Sequence, residues 1–269
     1  AWRTVARVNR ARLAPGDVVL LRGGATFRHA LMPPRSGRPN APIVFGSYGR
    51  TRARLPRGVW FRGLHDLKLD RLALPGASLV GRGNHISLTR SAIGRGRMGV
   101  YAEGSDWWIT SNKVHRTGDS GLILIGKRMT VAGNRIERTG RDRGIPWGKH
   151  GIYLRVAHAH VVANAIRHFA DNGISVRYRN SVVEGNHIAG GPIGIAWFQN
   201  DRRAGTSSWI ANEITGTTAA AIYVSPSDAA GATRESFVIS GNRLRPRSGH
   251  HLDLQRTVGS YLVAGNERE

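Results

Sequence analysis

Short runs of alternating apolar and polar residues recur along this chain, punctuated by Gly and Asn. Such alternation is the signature of β-strands buried on one face. One phrase repeats: two or three β-forming residues, a small residue, Asn, any residue, then Ile, Val or Leu. It places Asn at 112, 134, 164, 186, 212, 242 and 266, with Ser91 in the same slot one unit earlier and Leu72 one before that. A second phrase alternates with the first. It is a strand opened by Gly at 99, 121, 151, 173 and 194, and by Ala221 and His251 in later units. The spacings from Ser91 onward are 21, 22, 30, 22, 26, 30 and 24 residues.

Units this short hold strands of three to five residues and corners, with no room for a regular helix. A strand of that length cannot bury itself alone. Coils stacked at about 4.8 Å bury one inward face continuously and pair edge to edge. The pattern therefore predicts a single all-β domain over 1–269, a parallel β-solenoid of about nine or ten coils, right-handed as parallel crossovers are. Asn is expected to take the left-handed backbone conformation at a sharp corner and to form a hydrogen-bonded ladder along the stack. At the N-terminus, Trp2, Val5, Ala6 and Leu13 lie near helical period. Ala14, Pro15, Gly16 and Asp17 then make a turn into the strand Val18 to Leu21.

The repeat and this opening resemble the right-handed parallel β-helix proteins of the pectate-lyase-like superfamily. There, a short helix caps the open end and a Pro-Gly-Asp turn leads into the first strand. The segment from Pro39 to Gly49 resembles the early coils of bacterial polysaccharide-acting members. The resemblance implies a cap and first strand over 1–21 and stacked coils over 22–269. It covers nearly the whole chain and is specific for fold. The fold hosts lyases, hydrolases, epimerases and non-enzymatic binders.

The longer coils carry insertions, and insertions on solenoids often mark the working face. They fall at Glu137 to His150, at Gln199 to Ser208 and at Ser225 to Glu235, all flanking the Gly-led strand. Loops on both sides of one sheet make a groove, which the resemblance implies is a substrate cleft. Alternation places Tyr153, Arg155, Ser175, Arg177 and Tyr223 outward, toward that groove. Asp119, Lys149 and Asp171 share a phase just before the sheet in three successive coils.

The chain has 269 residues, 40 of them Lys or Arg against 17 Asp or Glu, a formal charge of +23. Four are Lys (68, 113, 127 and 149) and the rest Arg, a bias that a GC-rich coding sequence also produces. With no Cys there is no disulfide scaffold, thiolate metal site or cysteine nucleophile. No apolar run reaches the roughly 18 residues of a membrane span. The chain opens at Ala1 without Met, which fits a removed signal peptide and an extracellular or cell-surface location.

An anionic polysaccharide is the expected partner. Lys149 beside stacked cations is the candidate general base, with His150 or Tyr153 as the acid. Arg155 and Arg177 would neutralise a uronate carboxylate, the three needs of β-elimination. Asp119, Asp171, Trp147, Phe198 and Tyr223 complete the expected substrate-binding set. The alternative for the Lys149, His150 and Arg155 group is a solvated basic loop edge. The resembled lyases often use calcium. No run of acidic residues suited to calcium lies on this face, so no cofactor or metal is expected, and the Asp-Pro-His motif of related epimerases is missing.

A rival chemistry is inverting glycoside hydrolysis by Asp119 and Asp171, about 9.6 Å apart at two strand spacings, against the roughly 6.5–9.5 Å such pairs require. The adjacent Asp pairs of the family's hydrolases do not occur. Non-catalytic binding of an anionic glycan is a third reading. Nucleic acid is disfavoured, because nothing resembles a nucleic-acid module.

Overall fold

The computed structural model describes residues 2–144, 148–198, 203–225, 235–255 and 259–269. Eleven parallel strands stack along one side, from Val18–Arg22 through Ile43–Tyr48 and Val59–Asp70 to Ala220–Ser225 and His250–Leu254. The stack thus has about eleven turns rather than nine or ten. The extra turns lie early, at Val18–Arg22 and Ile43–Tyr48, where no Asn phrase marks a coil. A second sheet of ten short strands, from Ala53–Arg54 to Glu267–Arg268, forms another side. The N-terminal helix is only Val5–Val8, shorter than the periodicity from Trp2 to Leu13 suggests. Thr4 caps it by accepting from the Arg7 backbone N–H, and Val5 and Val8 bury against the first coil.

Burial follows the pleat. Ile152, Leu154 and Val156 are fully buried while Tyr153 and Arg155 are only partly so. Inward residues stack on their equivalents in the next coil: Leu124 beside Leu154 and Val176, and Ile109 beside Val131. Each such side chain contributes about 1.5–3 kcal/mol by leaving water. This repeated core, rather than any single long-range contact, holds the solenoid.

The corners correct one expectation. The left-handed residue is not the Asn but the residue before it. Arg71, Arg90, Ser111, Gly133, Ala163, Gly185, Ala211, Gly241 and Gly265 all have φ between 49° and 62°. This turn points the following side chain inward along the axis. Asn112 donates from its backbone N–H and its Nδ2 to Asn134 Oδ1, at 2.9 and 3.0 Å. Asn134 does the same to Asn164, and the chain of contacts continues to Asn266. Ser91 begins this run: its N–H donates to Asn112, and its Oγ accepts from Leu72 N–H.

Asn164 is 1% exposed, and its side chain accepts from the Asn134 N–H and donates to the Val131 and Val162 carbonyls. Its replacement by Ala strands several of them without water, at about 1–3 kcal/mol for each group that cannot relax. We expect Asn164→Ala to lower unfolding stability by about 2–3 kcal/mol in denaturant titrations. Asn266→Ala, at the less buried end of the ladder, should cost under half as much.

A second left-handed corner lies within or just after the strands of the large sheet, at Asp66, His85, Asp106, Arg128, His158 and Asn180. It bends each coil so that its first half faces a different direction from its second. In the first half, Gly104 and Gly126 adopt φ of 135° and 139°. A Cβ there would collide with the carbonyl of the coil below. The outer surface at that point is bare backbone, flanked by the strands that form the site described next.

Candidate functional site

Outward side chains on the first half of each coil form parallel rows. Register pairs Ile123, Tyr153 and Ser175, and then Ala196 and Tyr223, in one row. The next row begins Ile125, Arg155 and reaches Arg177, whose N–H donates to Leu154 O at 2.8 Å in continuation of the strand pairing. Just before the sheet, the residue pairs at 119–120, 149–150 and 171–172 stack in phase. Gly121 N–H donates to His150 O, and Gly151 N–H to Asn172 O.

These rows bring most of the expected residues together. A cavity of about 620 Å³ is lined by Asp119, Ser120, His150, Tyr153, Asp171 and Arg177, with Arg97, Ile123, Gly144 and Gly148 at its edges. Five side chains form a column along its floor and beyond. The His150 and Tyr153 rings are stacked at 5.3 Å and 8°. The Arg177 guanidinium lies 5.4 Å over Tyr153 and 4.4 Å over Phe198, and Phe198 meets Tyr223 at 5.4 Å. A cation between two ring faces is held electrostatically and loses little freedom when it meets a ligand.

Burial sets the protonation states. His150 is 2% exposed, and its pKa falls from 6.5 to about 3 because burial disfavours the cation and Arg177 repels it. Its 3.4 Å approach to Asp171 is therefore not an ion pair at neutral pH. His150 Nδ1 also lies 3.4 Å from the Asn172 N–H, a long contact in which the ring nitrogen accepts. Burial raises the Asp171 pKa, with Arg177 opposing it. A protonated Asp171 carboxyl would serve as a donor to that same nitrogen. Asp119 is held by its own neighbour, accepting from the Ser120 backbone N–H at 2.5 Å. Ser120 Oγ donates to Gly148 O and accepts from the His150 N–H.

Lys149 stands between two lining residues, Gly148 and His150, but does not itself line the cavity. It is partly buried, with its Cβ directed at Gly140. Arg155 sits one row across, its guanidinium 6.0 Å over the Tyr178 ring. Trp147 lies outside the described residues. Much of the second and third insertions does too, at 199–202 and 226–234.

Arg155 Nε, Asn172 Oδ1 and Ser175 Oγ are buried with no hydrogen-bond partner among the described residues. Polar atoms left this way are uncommon in a protein interior and cluster at sites of function. The sequence pattern places Ser175 outward and Ser120 in phase before the sheet but gives neither a role, and it does not single out Arg97. Ser175 carried a signal in its outward position between Tyr153 and Ala196, whereas Arg97 reaches the cavity from a corner.

Comparison with known proteins is consistent with this architecture. The family model of NosD, described as a periplasmic copper-binding protein, matches residues 75–205. A search of curated proteins returns no significant match. Among solved structures, an alginate lyase from Paenibacillus sp. str. FPU-7 superposes with a TM-score of 0.56 at 15% identity, covering 94% of this chain and 96% of that one. Pectate lyase Pel9A gives 0.58 at 16%, covering 98% and 72%. A lacto-N-biosidase from Eubacterium ramulus gives 0.62 at 13%, covering 98% of this chain and 64% of that one.

Among the described residues, no built copper site is found. The chain has no Cys and three Met. Met129 is buried, and among the described residues no three His, Cys, Asp or Glu side chains converge as a metal site requires. In-register parallel coils, the Asn ladder and these superpositions make the chain a parallel β-helix, similar in fold to the alginate and pectate lyases and, over residues 75–205, to the NosD family.

Proposed function

We propose that the protein binds an acidic polysaccharide in this groove and cleaves it by β-elimination. The observation that carries the reading is Arg177, held between the faces of Tyr153 and Phe198 on the cavity floor. A fixed guanidinium offers a carboxylate two parallel hydrogen bonds. The flanking rings offer apolar faces to sugar rings. Lyases of acidic polysaccharides among the structural neighbours support the same reading. A periplasmic or extracellular place fits the description of the matched family. Among the described residues, no helix is long and apolar enough to cross a membrane.

The reaction requires four changes. The C–H bond next to the uronate carboxylate breaks, the C–O bond to the leaving sugar breaks, a C=C bond forms, and the leaving oxygen takes a proton. Arg177 stabilises the negative charge that develops on the carboxylate, and Arg155 adds to the field one row away. Lys149, beside the cavity between the lining residues Gly148 and His150, is the base. Tyr153 is the acid in preference to His150, because a buried imidazole with a pKa of about 3 is uncharged at neutral pH and its remaining N–H is too weakly acidic to give up. His150 instead positions the Tyr153 ring by stacking on it.

A panel of polyuronates followed by ultraviolet absorbance tests this. Wild type should generate unsaturated ends on at least one polymer. Tyr153→Phe and Lys149→Ala should each reduce the rate by about 10²–10⁴-fold, the range of general acid–base assistance. A wild type silent on the whole panel would sink the proposal.

One observation favours a second reading. Asp171 has a raised pKa, as a general acid requires, and shares the cavity with Asp119 two coils away. That pairing suits inverting hydrolysis. New reducing ends without ultraviolet absorbance, abolished by Asp171→Asn, would select it.

A further inference from the structure

A second cavity, of about 890 Å³, opens at the other edge of the same sheet. Its lining includes Lys127, Arg128, His158, Tyr178, Arg179 and Arg203, with the bare backbone of Gly104 and Gly126 as floor and no carboxylate among the described lining residues. The row structure explains its shape. Register places Ser105, Lys127 and Ala157 side by side, and His158 N–H donates to Arg179 O as the next coil follows. Ala157 therefore leaves a notch between two cations that stand two strand spacings, about 9.6 Å, apart. Arg128 is fixed at the margin by a paired contact with Asp106, at 2.7 Å from each of two nitrogens.

The two cavities lie along one strand. Tyr153 lines the first and Ala157 the second, four residues or about 13 Å apart at strand rise. Arg155 stands between them on that strand, and its buried Nε has no hydrogen-bond partner among the described residues. Its guanidinium covers Tyr178, which lines the second cavity. The path from Arg177 through Arg155 to the Lys127 and Arg179 notch is cationic throughout.

We propose that this basic shelf is a second anion subsite, which receives an acidic group of the same glycan chain that enters the first cavity. The inference rests on the polysaccharide reading and sharpens it: the ligand carries acidic groups on non-adjacent sugars and runs across the strands' outer face. A disaccharide is too short to reach both ends. A polynucleotide is the less suitable occupant. Among the described lining residues Tyr178 is the one Phe, Tyr or Trp, and Arg155 already covers it, so they form no row of faces for successive bases.

The test is calorimetric binding of a uronic-acid oligomer series, from disaccharide to octasaccharide, to slow-turnover Tyr153→Phe protein. Affinity should rise steeply once the oligomer outgrows the first cavity. Lys127 is exposed and its replacement should not disturb folding. Lys127→Ala should weaken the long oligomers roughly tenfold, the equivalent of one charge-assisted contact, and leave the disaccharide as it was. Lys127→Glu and Ala157→Glu should weaken them further.

Long oligomers bound equally well by all three shelf variants would overturn the shelf, as would equal losses at every length. The groove reading would then still stand if Arg177→Ala abolishes binding. No binding of any oligomer to the Tyr153→Phe parent would overturn both. Tighter, Lys127-dependent binding of a single-stranded oligonucleotide would overturn the shelf's assignment to a glycan.

Discussion

Acidification from pH 6.5 toward 3 is expected to destabilise the fold by about 5 kcal/mol through His150, the full cost of protonating a group shifted this far. The sign follows from proton counting. His150 has its ordinary pKa of 6.5 in the unfolded chain and about 3 when buried, so within that window the unfolded state binds more protons. Stability is complete above the unfolded value and declines as pH falls through the window. Asp171 works in the opposite direction. Its folded pKa is raised by burial, so it takes up a proton earlier in the folded state and offsets part of the loss. Denaturant midpoints at pH 7 and pH 4 separate the two. His150→Gln should flatten the dependence, and Asp171→Asn should steepen it. A wild type equally stable at both values, with His150→Gln indistinguishable in slope, would contradict the assignment of His150 as a buried neutral ring.

Arg177→Ala should reduce kcat/KM on the preferred polyuronate by about 10²–10³-fold, the usual effect of removing one preorganised group that meets developing charge. Arg177→Lys should recover only part of the loss, because an ammonium lacks both the planar stack and the paired donors. The contrast with a simple surface cation lies in the kinetic split. A residue that merely attracts substrate changes KM and its salt dependence. One that stabilises the transition state lowers kcat as well. Rates of both variants at saturating and limiting substrate, at low and high salt, give that split. Equal kcat in wild type and Arg177→Ala would assign Arg177 to recruitment alone.

The coil was legible because its signals are local. Each Asn corner repeats within reach of a short window, and alternation at Ile152, Tyr153, Leu154 and Arg155 specifies which face is buried. The two earliest coils carried no Asn phrase and so escaped the repeat count, although the strand at Val18 to Leu21 and the resemblance of Pro39 to Gly49 to early coils pointed to them; Ile43–Tyr48 closes without an Asn. There Ser47 Oγ accepts from Ala53 N–H instead. The left-handed conformation was predicted in the wrong residue, because the ladder conceals that Asn supplies hydrogen bonds while its predecessor supplies the turn. At the site, Tyr153, Asp119, Asp171 and Arg177 followed from phase. The neutrality of His150 did not, because it depends on burial contributed by neighbouring coils. Nor did the shelf, where Lys127 and Arg179 are 52 residues apart in sequence but become neighbours across Ala157.

In-register stacking also restricts how this molecule can be altered. Along the axis, groups at one phase are separated only by whole multiples of the strand spacing, like marks on a ruler. A point substitution can exchange the chemistry at a mark but cannot move the mark. Asp119 and Asp171 can be drawn closer only by removing an entire coil, and the notch at Ala157 can be widened only by adding one. Loops at the corners are under no such restriction. Changes in ligand length should therefore arrive as gains or losses of complete coils, and changes in ligand identity as substitutions at fixed marks or replacements of loops.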